Sequence, residues 1–398
     1  MNKSKIIPIE INENSLLNSL KLFDVNSENN NERIKSFSIL KFYFFIIFIL
    51  FFILCYLIYI LNQKLCMNDE KINTVQEIMK DLNNKIYNHN HKHDDANNTL
   101  EPYIKAQKDF CENNNKYFNQ KYEDEIILSN IKFNDLKYQM YLFKAQNFIQ
   151  NEFEKYGSYE IELGNQIIEA LNFYSSKNIG IKNKDIYMLD IGGNVGWYPS
   201  LLGRYNYSIL SFEAFERNIY VSKKNYCYLN KNSNVVIISK GLGNEEKKCH
   251  YFNQLNNTGN GIIICNDKNI LKDEKINNLF IKESDVEMTT LNSFIPFLFS
   301  KKIALMKLDV EGHELQVLEG GAELITIYHV PFVVLEFSPV YLKEVGSNPE
   351  KLVMLFIKNG YKISLNGFFS KNYITANELL NKVRFQKNCY FIHDSIKL

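Results

Sequence analysis

Residues 42–61 read FYFFIIFILFFILCYLIYIL, without a charge, a glycine or a proline. At about 1.5 Å per residue a helix of this run spans roughly 30 Å, the hydrocarbon thickness of a bilayer. A buried helix of a globular core is rarely apolar on every face. A cleaved signal peptide is shorter and lies closer to the N-terminus. The run is therefore expected to be a transmembrane helix within 37–61, meeting the lipid bilayer from Phe42 to Leu61, and no second run of this kind occurs. Arg33, Lys35 and Lys41 precede it, whereas Lys64 and Lys71 behind it are diluted by Asp69 and Glu70. The positive-inside rule then puts the N-terminus in the cytosol and the remainder in the lumen. The expected product is a single-pass, type II membrane protein of the secretory pathway, in the ER or Golgi.

The flanks of the span are polar. Residues 1–36 are Asn-rich and expected to be a disordered tail. Residues 62–100 read as a stem and linker, in which Ile72, Val75, Ile78, Met79, Leu82 and Ile86 recur at helical spacing and could pair two copies into a homodimer. His89, His91 and His93 alternate at its end. Three such imidazoles can ligate a metal, but a solvated linker is the reading adopted, and no metal is expected. Six cysteines lie beyond the span (Cys66, Cys111, Cys227, Cys249, Cys265 and Cys389), an even number that permits disulfides, and none forms a C-x-x-C pair. N-x-S/T acceptors start at Asn97, Asn206 and Asn256. With 46 Lys+Arg against 45 Asp+Glu, the net charge of +1 excludes a polybasic nucleic-acid binder.

From 101 to 185 the rhythm reads as a helical lead-in. Tyr141, Leu142, Ala145, Phe148 and Ile149 make one apolar face, and Leu163, Ile167, Ile168, Leu171 and Tyr174 another. Over 186–398 short apolar runs alternate with helical stretches. IYMLDI (186–191), SILSFE (208–213), NVVIIS (234–239), IALMKLDV (303–310) and PFVVLEF (331–337) are apolar almost throughout, as strands buried on both faces of a parallel sheet are. KNGYKISLNG (358–367) and NCYFIHDS (388–395) are expected to close the sheet at its edge. The fold class is α/β, a Rossmann-like, doubly wound, mostly parallel sheet with helices on both faces.

The first strand runs into Asp190, Ile191, Gly192, Gly193, Asn194, Val195 and Gly196, and a helical pattern follows from Trp197. Ligands of open parallel sheets bind at the carboxyl ends of strands, where glycines let the backbone turn and approach a ligand. Glu213 ends the second strand 23 residues after Asp190, where an acid suits the hydroxyls of a ribose. The spacing departs from the dinucleotide pattern G-x-G-x-x-G. An acid two residues before the first glycine, with another glycine four after it, matches the D-x-G-x-x-x-G loop of class I methyltransferases. In the fourth strand Lys307, Asp309 and Glu311 recur at period two, which predicts one shared face at the strand end. A lysine and several acids gathered there suit a site that holds and deprotonates a hydroxyl.

Taken in order, DIGGNVGWYPSLLG, SFEAFERN, TTLNSF and ALMKLDVEGHELQVLEGG resemble the FkbM-type S-adenosylmethionine-dependent methyltransferases over roughly residues 140–395. The resemblance implies S-adenosylmethionine as cofactor, with Asp190, Gly192, Gly193, Asn194 and Gly196 lining the methionine and ribose region and Glu213 on the ribose hydroxyls. Ala214 stands where the family commonly has proline, which is expected to loosen the loop after Glu213. It further implies O-methylation of a hydroxylated acceptor, such as a sugar, a glycan or a lipid headgroup. Asp309 and Glu311 are expected to orient the hydroxyl or act as general base, with His313 a lesser candidate and Lys307 tuning the acids or neutralising a substrate. Glu336, at the fifth strand end, is expected to face the same cleft. The competing class is a non-catalytic, membrane-tethered binding protein that keeps the fold without turnover.

Overall fold

The computed structural model describes residues 99–113, 120–144, 148–229, 234–254, 257–265, 280–298 and 301–398. The tail, the span over Phe42–Leu61, the stem up to residue 98, Cys66, His89, His91, His93, Asn97 and Asn256 lie outside them. Among the described residues no helix is long and apolar enough to cross a membrane.

The central sheet is built from β3 (Ile186–Ile191), β4 (Ser208–Glu213), β5 (Val235–Ser239), β10 (Lys302–Leu308) and β11 (Phe332–Phe337), with β12 (Tyr361–Ser364), β13 (Tyr373–Ile374) and β14 (Lys387–His393). Its order is β13-β12-β14-β11-β10-β3-β4-β5. The pairs from β5 to β11 are parallel, and β14 enters antiparallel between β11 and β12. Alternate residues feed two cores. Met188, Ile209, Ile237 and Phe332 pack on one face, and Leu189, Leu210, Ile238 and Val333 on the other. Burial on both faces is why these strands read as unbroken apolar runs. The order reverses between β3 and β10, so the switch-point crevice opens at their carboxyl ends.

Two parts of the lead-in and the crossover differ from expectation. Residues 126–143 are not helical but form an antiparallel hairpin, β1 (Ile126–Phe133) and β2 (Leu136–Phe143), turning at Asn134 with φ +51. Tyr141 and Leu142 therefore lie on a strand. Asn tolerates the left-handed backbone of a two-residue hairpin turn. The buried amide of Asn225 docks this hairpin: its Oδ1 accepts from Tyr141 N–H at 2.6 Å, and its Nδ2 donates to Tyr141 O and Val195 O, both at 3.0 Å. The face from Leu163 to Tyr174 does form a helix, Ile161–Lys177. Between β5 and β10 the chain makes a second sheet rather than a helical crossover. It comprises β6 (Gly241–Gly243), β7 (Lys247–Gln254), β8 (Asn257–Cys265) and β9 (Phe280–Thr290), in the order β6-β9-β7-β8.

Two disulfides form among the described residues. Cys249–Cys265 bridges β7 to β8 across directly paired positions. Cys111–Cys227 links the helix Glu101–Asn113 to the helix Glu216–Leu229. Gln107 of the former helix is buried beside the edge strand β5, where it donates to Val235 O at 3.0 Å and accepts from Ile237 N–H at 2.9 Å. A side-chain amide thus satisfies ladder groups that an open edge would leave exposed.

Candidate active site

β3 delivers Asp190 to the crevice, and the chain turns at Gly192 with φ +85. A Cβ on Gly192 would stand 1.8 Å from the carbonyl oxygen of Asp309, and Asp309 N–H donates to Ile191 O at 3.0 Å. The glycine-rich loop and the turn after β10 are thus in backbone contact, an approach that only glycine permits. At Gly193 a Cβ would fall 2.0 Å from Ser211 Oγ. Gly196, at φ +79, opens the helix Trp197–Leu202.

Asp190 is fully buried. Its Oδ2 accepts from Ser211 Oγ at 2.9 Å, while its Oδ1 has no partner among the described residues. Burial raises its pKa, and the charge of Lys307 opposes the rise. A buried carboxylate oxygen left unmatched is costly and calls for a donor or cationic ligand. Glu213 accepts from Asn194 N–H at 2.7 Å, Ala214 N–H at 2.9 Å and Phe215 N–H at 2.8 Å. Burial pushes its pKa up to about 7 against the pull of those three amides. A carboxylate offers about four acceptor positions, so Glu213 ties the two loops together and keeps one position open. The Ala214 N–H, which proline would lack, fastens the loop after Glu213 instead of loosening it.

The acids of the fourth strand converge by a turn, not by the pleat. β10 ends at Leu308, and Glu311 reaches the cluster through its own left-handed backbone, φ +53, followed by Gly312 at φ +99. Glu314 holds that turn, its Oε1 accepting from Val310 N–H at 3.2 Å and Gly312 N–H at 3.1 Å. Carboxylate oxygens of Asp309, Glu311 and Glu336 all lie within 4.8 Å of one another. Oxygens this close can share a proton or hold a divalent cation.

The three acids are electrostatically distinct. Lys307 is 5% exposed, and its Nζ contacts Asp309 Oδ2 at 2.7 Å. Burial alone would lower the Lys307 pKa, but Asp309, Glu160 and Asp190 raise it. Burial would raise Asp309, yet Lys307 and the bond to Glu336 hold it below the ordinary range. Burial and the neighbouring Asp309 push Glu336 up to about 9, where it keeps its proton at neutral pH. Glu311, on the exposed side of the group, is brought to about 7 by desolvation and Asp309. His313 is not part of this cluster. It occupies the N-cap of the helix Glu314–Glu319 without a side-chain capping bond, and burial and Lys247 lower its pKa.

Sequence reasoning did not find Glu160. It sits at φ +45 before the helix Ile161–Lys177, its Oε2 accepts from Tyr198 Oη at 2.7 Å, and burial raises its pKa against the charge of Lys307. No local pattern marks it, because it lies thirty residues before Asp190 in the chain. Ser211 was also missed, although a polar residue two before Glu213 inside an apolar strand is a readable signal.

Residues 190–363, under half of the chain, match the family model described as the methyltransferase FkbM domain. No curated protein matches the chain. Among solved structures, the chain is similar to the bifunctional kinase-methyltransferase WbdD at 14% identity and a TM-score of 0.33, over 63% of this chain and 43% of that one. It is also similar to magnesium protoporphyrin IX methyltransferase (ChlM) from Synechocystis PCC 6803 with bound SAM, at 11% identity and a TM-score of 0.30, over 63% of this chain and 86% of that one. The chain thus spans under half the length of WbdD.

Proposed function

We infer that this chain, which carries an FkbM methyltransferase domain at residues 190–363, is a membrane-anchored O-methyltransferase that uses S-adenosylmethionine on a hydroxyl of a glycan, a glycolipid or another small acceptor. The observation that carries the reading is the backbone contact between Gly192 and Asp309, which abuts the donor-type loop and the carboxylate cluster. The donor fits the residues present. Asp190 offers an unmatched buried oxygen, Gly192 and Gly193 leave space that a Cβ would fill, and Glu213 keeps an acceptor position beside them. When bound, S-adenosylmethionine supplies a methyl group already activated for transfer.

The chain's own residues then have two tasks, alignment and proton removal. Glu311 takes the acceptor's hydroxyl proton, because its pKa of about 7 lies near the working pH and it faces the open side. Asp309, locked onto Lys307, orients the hydroxyl and is too weakly basic to compete. Glu336 holds the proton that keeps two neighbouring carboxylates from repelling each other.

Calorimetry on the full chain in neutral detergent tests the donor. Tight binding of S-adenosylmethionine is expected, and Asp190→Asn or Glu213→Gln is expected to weaken it at least tenfold, the equivalent of losing a charge-assisted bond of about 1.5–3 kcal/mol. No binding by the wild type, or tight binding of NAD instead, rejects the assignment. The non-catalytic alternative predicts donor binding with no methylation of any acceptor in a glycan and glycolipid panel.

The lumenal side is supported by the basic residues before Phe42 and by two disulfides, which persist in oxidising compartments. Asn206 is exposed. A glycosidase-sensitive gel shift is expected from Asn97, Asn206 or Asn256, together with protection of residues 62–398 from protease in sealed microsomes. Cleavage without detergent means the catalytic domain faces the cytosol.

A further inference from the structure

At the amino ends of the parallel strands, the pole opposite Gly192 and Asp309, the domain holds a cavity of about 800 Å³. Its walls come from the C-terminal end of the helix Ile161–Lys177, the start of β10, the residues before β11 and the chain after β14. No residue of the 190–196 loop or of the carboxylate cluster lines it, so it is separate from the site above.

The charge of this cavity is one-sided. Lys177, Lys301, Lys302 and Lys397 line it together with His329 and His393, and no Asp or Glu does. Among the described residues none of the four ammonium groups is in an ion pair, although Lys224, Lys240, Lys247, Lys282, Lys307, Lys351 and Lys382 each meet a carboxylate. Lys177 lies over the Phe173 ring and Lys301 over Phe297, but in a chain of net charge +1 four lysines without carboxylate partners around one concavity still focus a positive potential there.

The two imidazoles of the cavity each have protein partners. Their rings stack at 4.4 Å and 14°. His393 is 8% exposed, its Nδ1 lies 2.7 Å from Ser395 Oγ and 3.3 Å from Ser395 N, and its ring also bonds the backbone of Asn359. The nearest acid to its Nε2 is Asp394, at 3.7 Å and largely exposed. His329 is held at φ +49 with its Nδ1 against Ile325 O at 2.9 Å. Phe173 and Tyr174 add an aromatic wall.

We propose that this cavity is a second binding site, for a small organic phosphate whose dianion is met by the lysines and whose organic part packs on Phe173 and Tyr174. A phosphate monoester brings nearly two charges at pH 7, which suits four lysines better than a carboxylate would. Pocket volumes of a few hundred to about a thousand cubic ångströms take ligands of that size.

Calorimetry with the full chain in neutral detergent tests it, with phenyl phosphate and dihexanoyl phosphatidic acid below its micelle-forming concentration as probes. Saturable binding of at least one probe is expected, and benzyl alcohol is expected not to bind. The exposed pair Lys302→Glu with Lys397→Glu should weaken binding at least tenfold, whereas Lys137→Glu on β2 should leave it unchanged. Tighter binding of the lipid names a headgroup as the source, and tighter binding of phenyl phosphate names a soluble ester. Absence of saturable binding, binding indifferent to the paired charge reversal, or competition with S-adenosylmethionine overturns the proposal.

Discussion

Glu311→Gln is expected to lower single-turnover methylation by about 10²–10⁴-fold, the usual contribution of a placed general base, while donor affinity and melting temperature stay near the wild type. The amide keeps the size and polarity of the side chain but cannot take the hydroxyl proton. Because Glu311 titrates near 7, wild-type turnover should rise with pH through that value as the carboxylate forms. The variant should lack this limb. Wild-type rates in a folded, donor-binding Glu311→Gln protein would place the base elsewhere. A chelator that abolishes wild-type activity, with recovery on adding magnesium, would make the three acids cation ligands and overturn the base assignment.

Lys307→Met should be the most destabilising single change in the site, by about 3–5 kcal/mol at neutral pH, the cost of removing one partner from a buried ion pair. The methionine fills the space but leaves Asp309, Glu160 and Asp190 without the cation that all three share. Lys307 holds Asp309 below its ordinary pKa in the wild type, and without it the three carboxyls must stay protonated to remain buried. A carboxyl whose folded pKa is raised contributes stability below its unfolded value and loses it as pH rises through the folded value. The deficit of the variant should accordingly be small near pH 4 and grow toward about pH 7. Urea melts of both proteins across this range measure it. A deficit independent of pH would assign the loss to packing and remove Lys307 from the electrostatic account.

The hairpin at 126–143 and the choice among the acids mark where reading the chain reached its limit. Tyr141 and Leu142 fit a helical face as well as a strand, since a short apolar run has no decisive period. What makes it a strand is the ladder with β1, which the side chain of Asn225, 84 residues away, docks by bonding both backbone groups of Tyr141. The sheet from Gly241 to Thr290 was missed for a related reason. β6 pairs with β9 across more than forty residues, and such pairings leave little local trace.

By itself the sequence determined the local parts: the runs at 186–191 and 208–213 that are β3 and β4 residue for residue, the glycine loop after Asp190, and the gathering of acids after Lys307. Each is written in consecutive residues, because burial on both faces demands unbroken apolar runs and a tight turn demands glycine. Only the tertiary structure decided which acid differs from which. Glu160, Asp309, Glu311 and Glu336 are the same chemical group until folding puts Lys307 against Asp309, burial and a neighbouring carboxylate around Glu336, and solvent beside Glu311. A pKa is set by the charges and solvent around a group, and here those neighbours come from four separate stretches of chain.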